Sequence, residues 1–328
     1  MKRILSLAIV LAMVSSSSVM AEATVDTVAG GLTNPCGVAI QPGTGTIFVA
    51  DSGAGRVVRI VDGKAEAVIT DFPVDSYGKG PKYAIGPLGL LFIDENVLVV
   101  GGGGYPDNED LLRVYNLPKA GEAAIKADQM AASFKLEKTE DLAGEGNFYG
   151  LAYDGSSIFV TTNGDDTKGW IGRAAVTGTK VGPFQRAIAT KEATEVDAPV
   201  GITMAPDGSI VVGQMGEITV PGDALITFYD SKNGQVLANY ETGLSDITGV
   251  AYAGKKNLYV TDFNWGKTAD GGLFRVIASK NKNKPVKVER IATLDKPTAL
   301  VTDADGNVYV TIIGSGEGAS GSLVKVTP

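Results

Sequence analysis

After its first two dozen residues the chain is built from short apolar runs, rich in Val, Ile and aromatic side chains, that are broken by Gly, Asp, Asn and Pro. The runs come in pairs around tight polar turns, as in VAIQPGTGTIFVAD, ITMAPDGSIVVGQ, VAYAGKKNLYVTD and LVTDADGNVYVTI. Each pair predicts a β-hairpin, because Gly, Asn and Asp supply the turn and β-branched residues fill the strands. A four-residue start precedes every pair: Asn34-Pro35-Cys36-Gly37, Gly86-Pro87-Leu88-Gly89, Asn147-Phe148-Tyr149-Gly150, Ala198-Pro199-Val200-Gly201, Asp246-Ile247-Thr248-Gly249 and Lys296-Pro297-Thr298-Ala299. The fourth positions of these starts are separated by 52, 61, 51, 48 and 50 residues. A third strand follows in each unit, at 57–61, 111–115, 171–176, 224–229, 272–277 and 323–326, and a fourth precedes the next start.

Repetition at this period identifies stacked supersecondary units. Four antiparallel strands per unit make the blade of a β-propeller, and six units predict an all-β, six-bladed ring. The last unit ends after its third strand, while 24–29 reads as a strand with no unit of its own. That N-terminal strand is expected to complete the last blade, which removes the exposed edge of an open stack. The longest interval holds 119–132, rich in Ala, Glu and Lys; a short helix and a polar loop both fit it.

Residues 1–21 combine Lys2 and Arg3 with an apolar run and a small-residue cut site, and they predict a cleaved export signal. The remainder, 22–328, is expected to be one domain, periplasmic or extracellular, without membrane insertion. Composition narrows its chemistry. Without Lys2 and Arg3 the chain carries 27 basic and 37 acidic residues, a net charge of 27 − 37 = −10, which argues against a nucleic-acid partner. Histidine is absent, so Ser-His-Asp and Cys-His pairs, imidazole bases and His-ligated metals are excluded. Any bound cation is expected to be hard, Ca²⁺ or Mg²⁺ before Zn²⁺. The single cysteine, Cys36, cannot form an intrachain disulfide and reads as a buried apolar filler.

The stretch NPCGVAIQPGTGTIFVADSGAGRVVRI resembles an NHL-type repeat, the blade unit shared by six-bladed propellers of the regucalcin and gluconolactonase, strictosidine synthase-like and paraoxonase-like groups. The resemblance covers essentially the whole chain from Thr24 onward. It is specific for the fold and permissive for function. It implies metal ligands at Asn34, Asn147 and Asp246, around a divalent cation at the channel mouth. The Glu those lactonases also use has no counterpart, and the lack of His removes the base expected of paraoxonase-like and quinone-dependent sugar-dehydrogenase propellers.

The long connections, 71–84, 101–110, 163–169, 214–223, 263–271 and 314–321, all fall on one face of the disc, and the opposite face has short turns. That face carries Tyr77, Tyr83, Tyr105, Phe263, Trp170 and Trp265, and acidic residues including Asp107, Glu109, Asp110, Asp165, Asp166, Glu217, Asp223 and Asp270. Loops lengthened on one face mark a working surface. Cys36, Leu88, Tyr149, Val200, Thr248 and Thr298, each just before the fourth position of its start, are expected to border the channel. The reading reached is an exported, non-enzymatic binding or scaffold propeller that presents Tyr105, Tyr149, Trp170, Asp246 and Trp265 to a protein or glycan. The second reading is a divalent-metal-dependent hydrolase or lactonase at the channel mouth, with Ca²⁺ as the cation its oxygens would suit.

Overall fold

The computed structural model describes residues 23–328 apart from 79, 107, 165–167 and 278–285. The expected export signal, Asp107, Asp165 and Asp166 therefore lie outside the described residues. Six blade sheets, each with four antiparallel strands, are arranged as the repeats require, and the first carries a fifth strand, Ile125–Lys126, at its outer edge. From the axis outward, blade 1 is Pro35–Ile40, Ile47–Asp51, Arg56–Val61 and Lys64–Thr70, and blade 4 is Pro199–Met204, Ile210–Gln214, Leu225–Tyr229 and Val236–Glu241. Blade 6 has three strands from the C-terminal end, Pro297–Thr302, Val308–Ile312 and Gly321–Thr327. Its outer strand is Thr24–Leu32, with Val25 opposite Val326, Thr27 opposite Val324 and Ala29 opposite Leu323. The expected closure of the ring is present.

Apolar side chains from neighbouring blades interlock, so the core is divided into sectors. Phe48, Val57 and Ile69 of blade 1 meet Phe92, Leu98 and Tyr115 of blade 2; Val211 and Ile226 of blade 4 meet Val250 and Val260 of blade 5. The closing joint is made by Leu32 and Leu323 against Val38, Val49 and Val58. Near the axis the sheets come so close that a side chain has no room. A Cβ on Gly37 would lie 2.1 Å from the Leu88 carbonyl oxygen, and one on Gly150 would lie 2.3 Å from that of Val200. The repeated glycine is thus a packing requirement at these joints, with Ala299 standing at the equivalent position of the sixth unit.

The 119–132 insertion is not a helix. Ile125–Lys126 pairs in parallel with Ile69 and Thr70 of blade 1, and Ala132–Phe134 serves as the outer strand of blade 2. The Tyr115 hydroxyl donates to the Ala127 carbonyl at 2.8 Å and pins the crossing. Extending a neighbouring sheet satisfies backbone groups that a lone, short helix would leave to water.

Candidate active site at the channel mouth

The six side chains expected to border the channel, Cys36, Leu88, Tyr149, Val200, Thr248 and Thr298, all line one axial pocket of about 80 Å³. Tyr149 crosses the axis from blade 3, and its hydroxyl donates to the Thr298 carbonyl of blade 6 at 2.8 Å. Tyr149 and Thr248 also line the cavity at the opposite end, which is walled by the repeat glycines, so these two side chains partition the channel. Burial pushes the Tyr149 hydroxyl well above its ordinary range, with Cys36 beside it adding to the effect. Burial likewise pushes the Cys36 thiol up to about 12, as befits an inert filler.

Next to this pocket, and sharing Tyr77, Ile85, Asn147, Asn163 and Met215 with it, lies a groove of about 570 Å³. Its walls come from the long loops: Asp75, Ser76 and Tyr77 from the first, Gly103 and Tyr105 from the second, Asn163 and Gly164 from the third, and Met215 to Ile218 from the fourth. The fifth loop supplies Phe263 and Trp265 to the axial pocket. A small hairpin, Asp75–Tyr77 with Tyr83–Ile85, stands over the junction with Tyr77 directly opposite Tyr83. Trp265 meets Tyr77, Tyr83 and Phe263 at centroid distances of 6.3, 5.4 and 4.8 Å, and its indole N–H donates to the Gly80 carbonyl at 3.3 Å. The sequence carried this element as DSYGKGPKYAI, two tyrosines placed symmetrically about a Gly- and Pro-containing turn.

Carboxylates behind the mouth hold the leads into the first strands. Asp51 accepts from the Thr33 N–H at 2.6 Å and from Arg56 at 2.7 Å. Asp262 accepts from the N–H groups of Asp246 and Asn264 at 2.8 and 3.1 Å, and Asp110 accepts from those of Tyr105 and Asn147 at 3.0 and 2.9 Å. Asp197, on the groove wall, is held by Lys191 at 2.9 Å and by the Ala198 N–H. Asp75 and Glu217 also line the groove, are exposed, and make no side-chain hydrogen bond or ion pair among the described residues.

Of the side chains singled out from sequence, Tyr105 lines the groove with the Arg113 guanidinium 5.6 Å from its ring centre, and Tyr149 and Trp265 line the axial pocket. Trp170 opens the third strand of blade 3 and lines neither cavity. Asp246 is 1% exposed and sits behind the wall, accepting the Trp265 backbone N–H while its Oδ1 has no hydrogen-bond partner. Burial pushes its carboxyl up to about 7; the Trp265 bond opposes this, and Asp262 and Asp223 add to it. Asn147 lines both cavities, whereas Asn34 and Asp246 line neither. Among the described residues no three carboxylate or thiol side chains converge to hold a metal. Asp75, Asn163, Asp197 and Met215 had no place among the sequence candidates, since only the folded loops bring them to Asn147.

The chain matches no protein-family model and no curated protein. Among solved structures it is similar to the quinone (PQQ)-bound aldose sugar dehydrogenase of Streptomyces coelicolor, at 15% identity and a TM-score of 0.62 over 94% of this chain and 98% of that one. The soluble aldose sugar dehydrogenase of Escherichia coli gives 15% identity and a TM-score of 0.64 over 93% and 99%. A gluconolactonase of Xanthomonas campestris gives 14% and 0.56 over 93% and 89%. These findings correct the expectation of a non-enzymatic scaffold. The full-length structural neighbours are enzymes, and the mouth holds a concave, polar-lined groove of substrate size rather than a flat contact face. The chain thus shares the six-bladed β-propeller fold, over nearly its whole length, with sugar dehydrogenases and a gluconolactonase.

Proposed function

We propose that the chain is an enzyme acting on a small polyhydroxylated substrate, a sugar-derived lactone or ester, and that it hydrolyses the ester bond in the mouth groove. The observation that carries this reading is the convergence of Asn147, Asn163, Asp75 and Glu217 beside the rings of Tyr77 and Tyr105 in one groove of about 570 Å³. That volume is in the ordinary range for a small-molecule site. Side-chain amides both donate to and accept from hydroxyl groups, and aromatic faces suit the C–H face of a sugar ring.

The groups known from similar propellers fit this groove poorly. Pyrroloquinoline quinone is a tricarboxylate, and the groove offers it Asp75, Asp197 and Glu217 and, among the described lining residues, no Lys or Arg. Calcium takes 6 to 8 oxygens, yet Asp197 is already engaged and no carboxylate cage is formed among the described residues. The chain's own side chains therefore supply the hydrolytic step. Asp75 or Glu217 accepts a proton from the attacking water as its oxygen bonds to the carbonyl carbon, and returns that proton to the leaving alkoxide oxygen as the acyl C–O bond breaks, while Asn147 and Asn163 orient the hydroxyls and the carbonyl of the substrate.

The test is hydrolysis of glucono-δ-lactone, followed by base uptake, with and without prior chelation. Turnover should survive the chelator. Either Asp75→Asn or Glu217→Gln should lower kcat by about 10² or more without lowering the melting temperature. Absence of lactone hydrolysis, together with dye-linked glucose oxidation on adding the quinone and Ca²⁺, would replace this reading with a redox one.

A further inference from the structure

We infer that the axial pocket is a subsite for a short apolar substituent of the substrate, two to three carbons long. This rests on the groove's being the substrate site, and it specifies which substrates use it. The pocket is walled by Leu88, Val200, Met215, Ile313 and the rings of Tyr83 and Trp265.

The polar groups at its floor are turned to the protein. Thr248 Oγ1 donates to the Pro297 carbonyl at 2.8 Å, Thr298 Oγ1 to that of Pro35 at 2.7 Å, and Tyr149 Oη to that of Thr298 at 2.8 Å. A buried water needs two to four polar partners, and these walls offer few. The neighbouring groove is polar, and the two spaces meet at Tyr77, Ile85, Asn147, Asn163 and Met215. A ligand can therefore pass from one to the other without a break. The shape asks for an amphipathic molecule, with hydroxyls in the groove and an alkyl or acyl arm along the axis.

Size sets the length of the arm. An apolar cavity of about 150 Å³ accepts benzene, and the axial pocket, at about 80 Å³, has about half that space. Tyr149 closes the far end, so a longer arm has nowhere to go.

The experiment measures binding of methyl, ethyl, propyl and hexyl β-glucosides by calorimetry, with 1-propanol as the arm alone. These glucosides are not esters, so the readout is independent of turnover. Affinity should rise about fourfold per carbon, the equivalent of ~0.8 kcal/mol per buried CH₂, up to propyl and then stop. Val200→Phe, and independently Leu88→Phe, should level the series, and either one that keeps the wild-type melting temperature suffices. A series that is flat in the wild-type protein overturns the subsite, whether or not the groove holds the sugar. Propyl glucoside that binds no better than 1-propanol, with both weakened by Val200→Phe, supports the apolar pocket and overturns the groove as a sugar site.

Discussion

Asp246 is buried in the native state with one carboxylate oxygen unpaired, and its proton is correspondingly hard to remove. Its carboxyl is pushed up from 3.8 to about 7. The folded protein therefore holds a proton that the unfolded chain releases near pH 4. The resulting stability is complete below about pH 4 and is lost as the pH rises through about 7. Asp262 and Asp223 are displaced in the same direction by burial. Asp246→Asn keeps an acceptor for the Trp265 N–H without the charge. It should raise the melting temperature at pH 8 and flatten its decline between pH 4 and 7; parallel pH profiles for wild type and variant would show that Asp246 ionises freely. A residue's backbone can also imitate chemistry. Asn34 and Asn147, which the family resemblance implied as metal ligands, have φ of 44° and 48°, and the equivalent Ala198 and Lys296 have 55° and 57°. In these four blades the position takes the left-handed region, where Asn is among the least strained side chains. A single sequence offers the residue type but not which of these two demands selected it.

Among the elements, strands and hairpins were legible because one face of each is buried, which imposes alternation on the sequence. The third strands appear within two residues of where the pattern put them, as at Trp170–Thr177 and Gly272–Ile277. Elements that depend on another blade were not legible: the Ile125–Lys126 segment has no pattern of its own and takes its order from blade 1. The hairpin over the mouth is intermediate, since its turn shows in the sequence but its docking on Trp265 does not. The ring contacts and the Gly80 hydrogen bond hold it there, together with hydrogen bonds from Asn34 to the Ala84 carbonyl and from Asn163 to the Tyr77 hydroxyl. Aromatic pairs contribute about 0.5–1.5 kcal/mol each, so Trp265→Ala should accelerate amide exchange across 75–85 by about tenfold to a hundredfold. The unfolding temperature should change little, because the blade cores do not include this ring. A large fall in unfolding temperature with no local change in exchange would make Trp265 part of the global core.

For the whole molecule the question is what keeps six blades in a closed ring. Five joints are covalently continuous through the chain, but the sixth is made across the two ends of the folded region, by Thr24–Leu32 along Gly321–Thr327 and by Leu32 and Leu323 against blade 1. A truncated last unit and an ownerless first strand made this closure readable from sequence. The groove was less readable, because its residues come from four loops separated by up to half the chain. If strand pairing carries the joint, removing 23–30 leaves Leu323 and Val324 under an open edge and eliminates most of the ladder. At about 1 kcal/mol net per hydrogen bond the loss is roughly 5 kcal/mol, enough to lower the melting temperature by about 10 °C or more. The bared strand should also pair with a second chain, so the variant should associate on size exclusion. A synthetic peptide of 24–32, added in excess, should restore both properties by occupying the edge. If the variant melts like the wild type and stays monomeric, the joint rests on Val38, Val49, Val58 and Leu323, and the N-terminal strand only covers a ring that apolar packing has already closed.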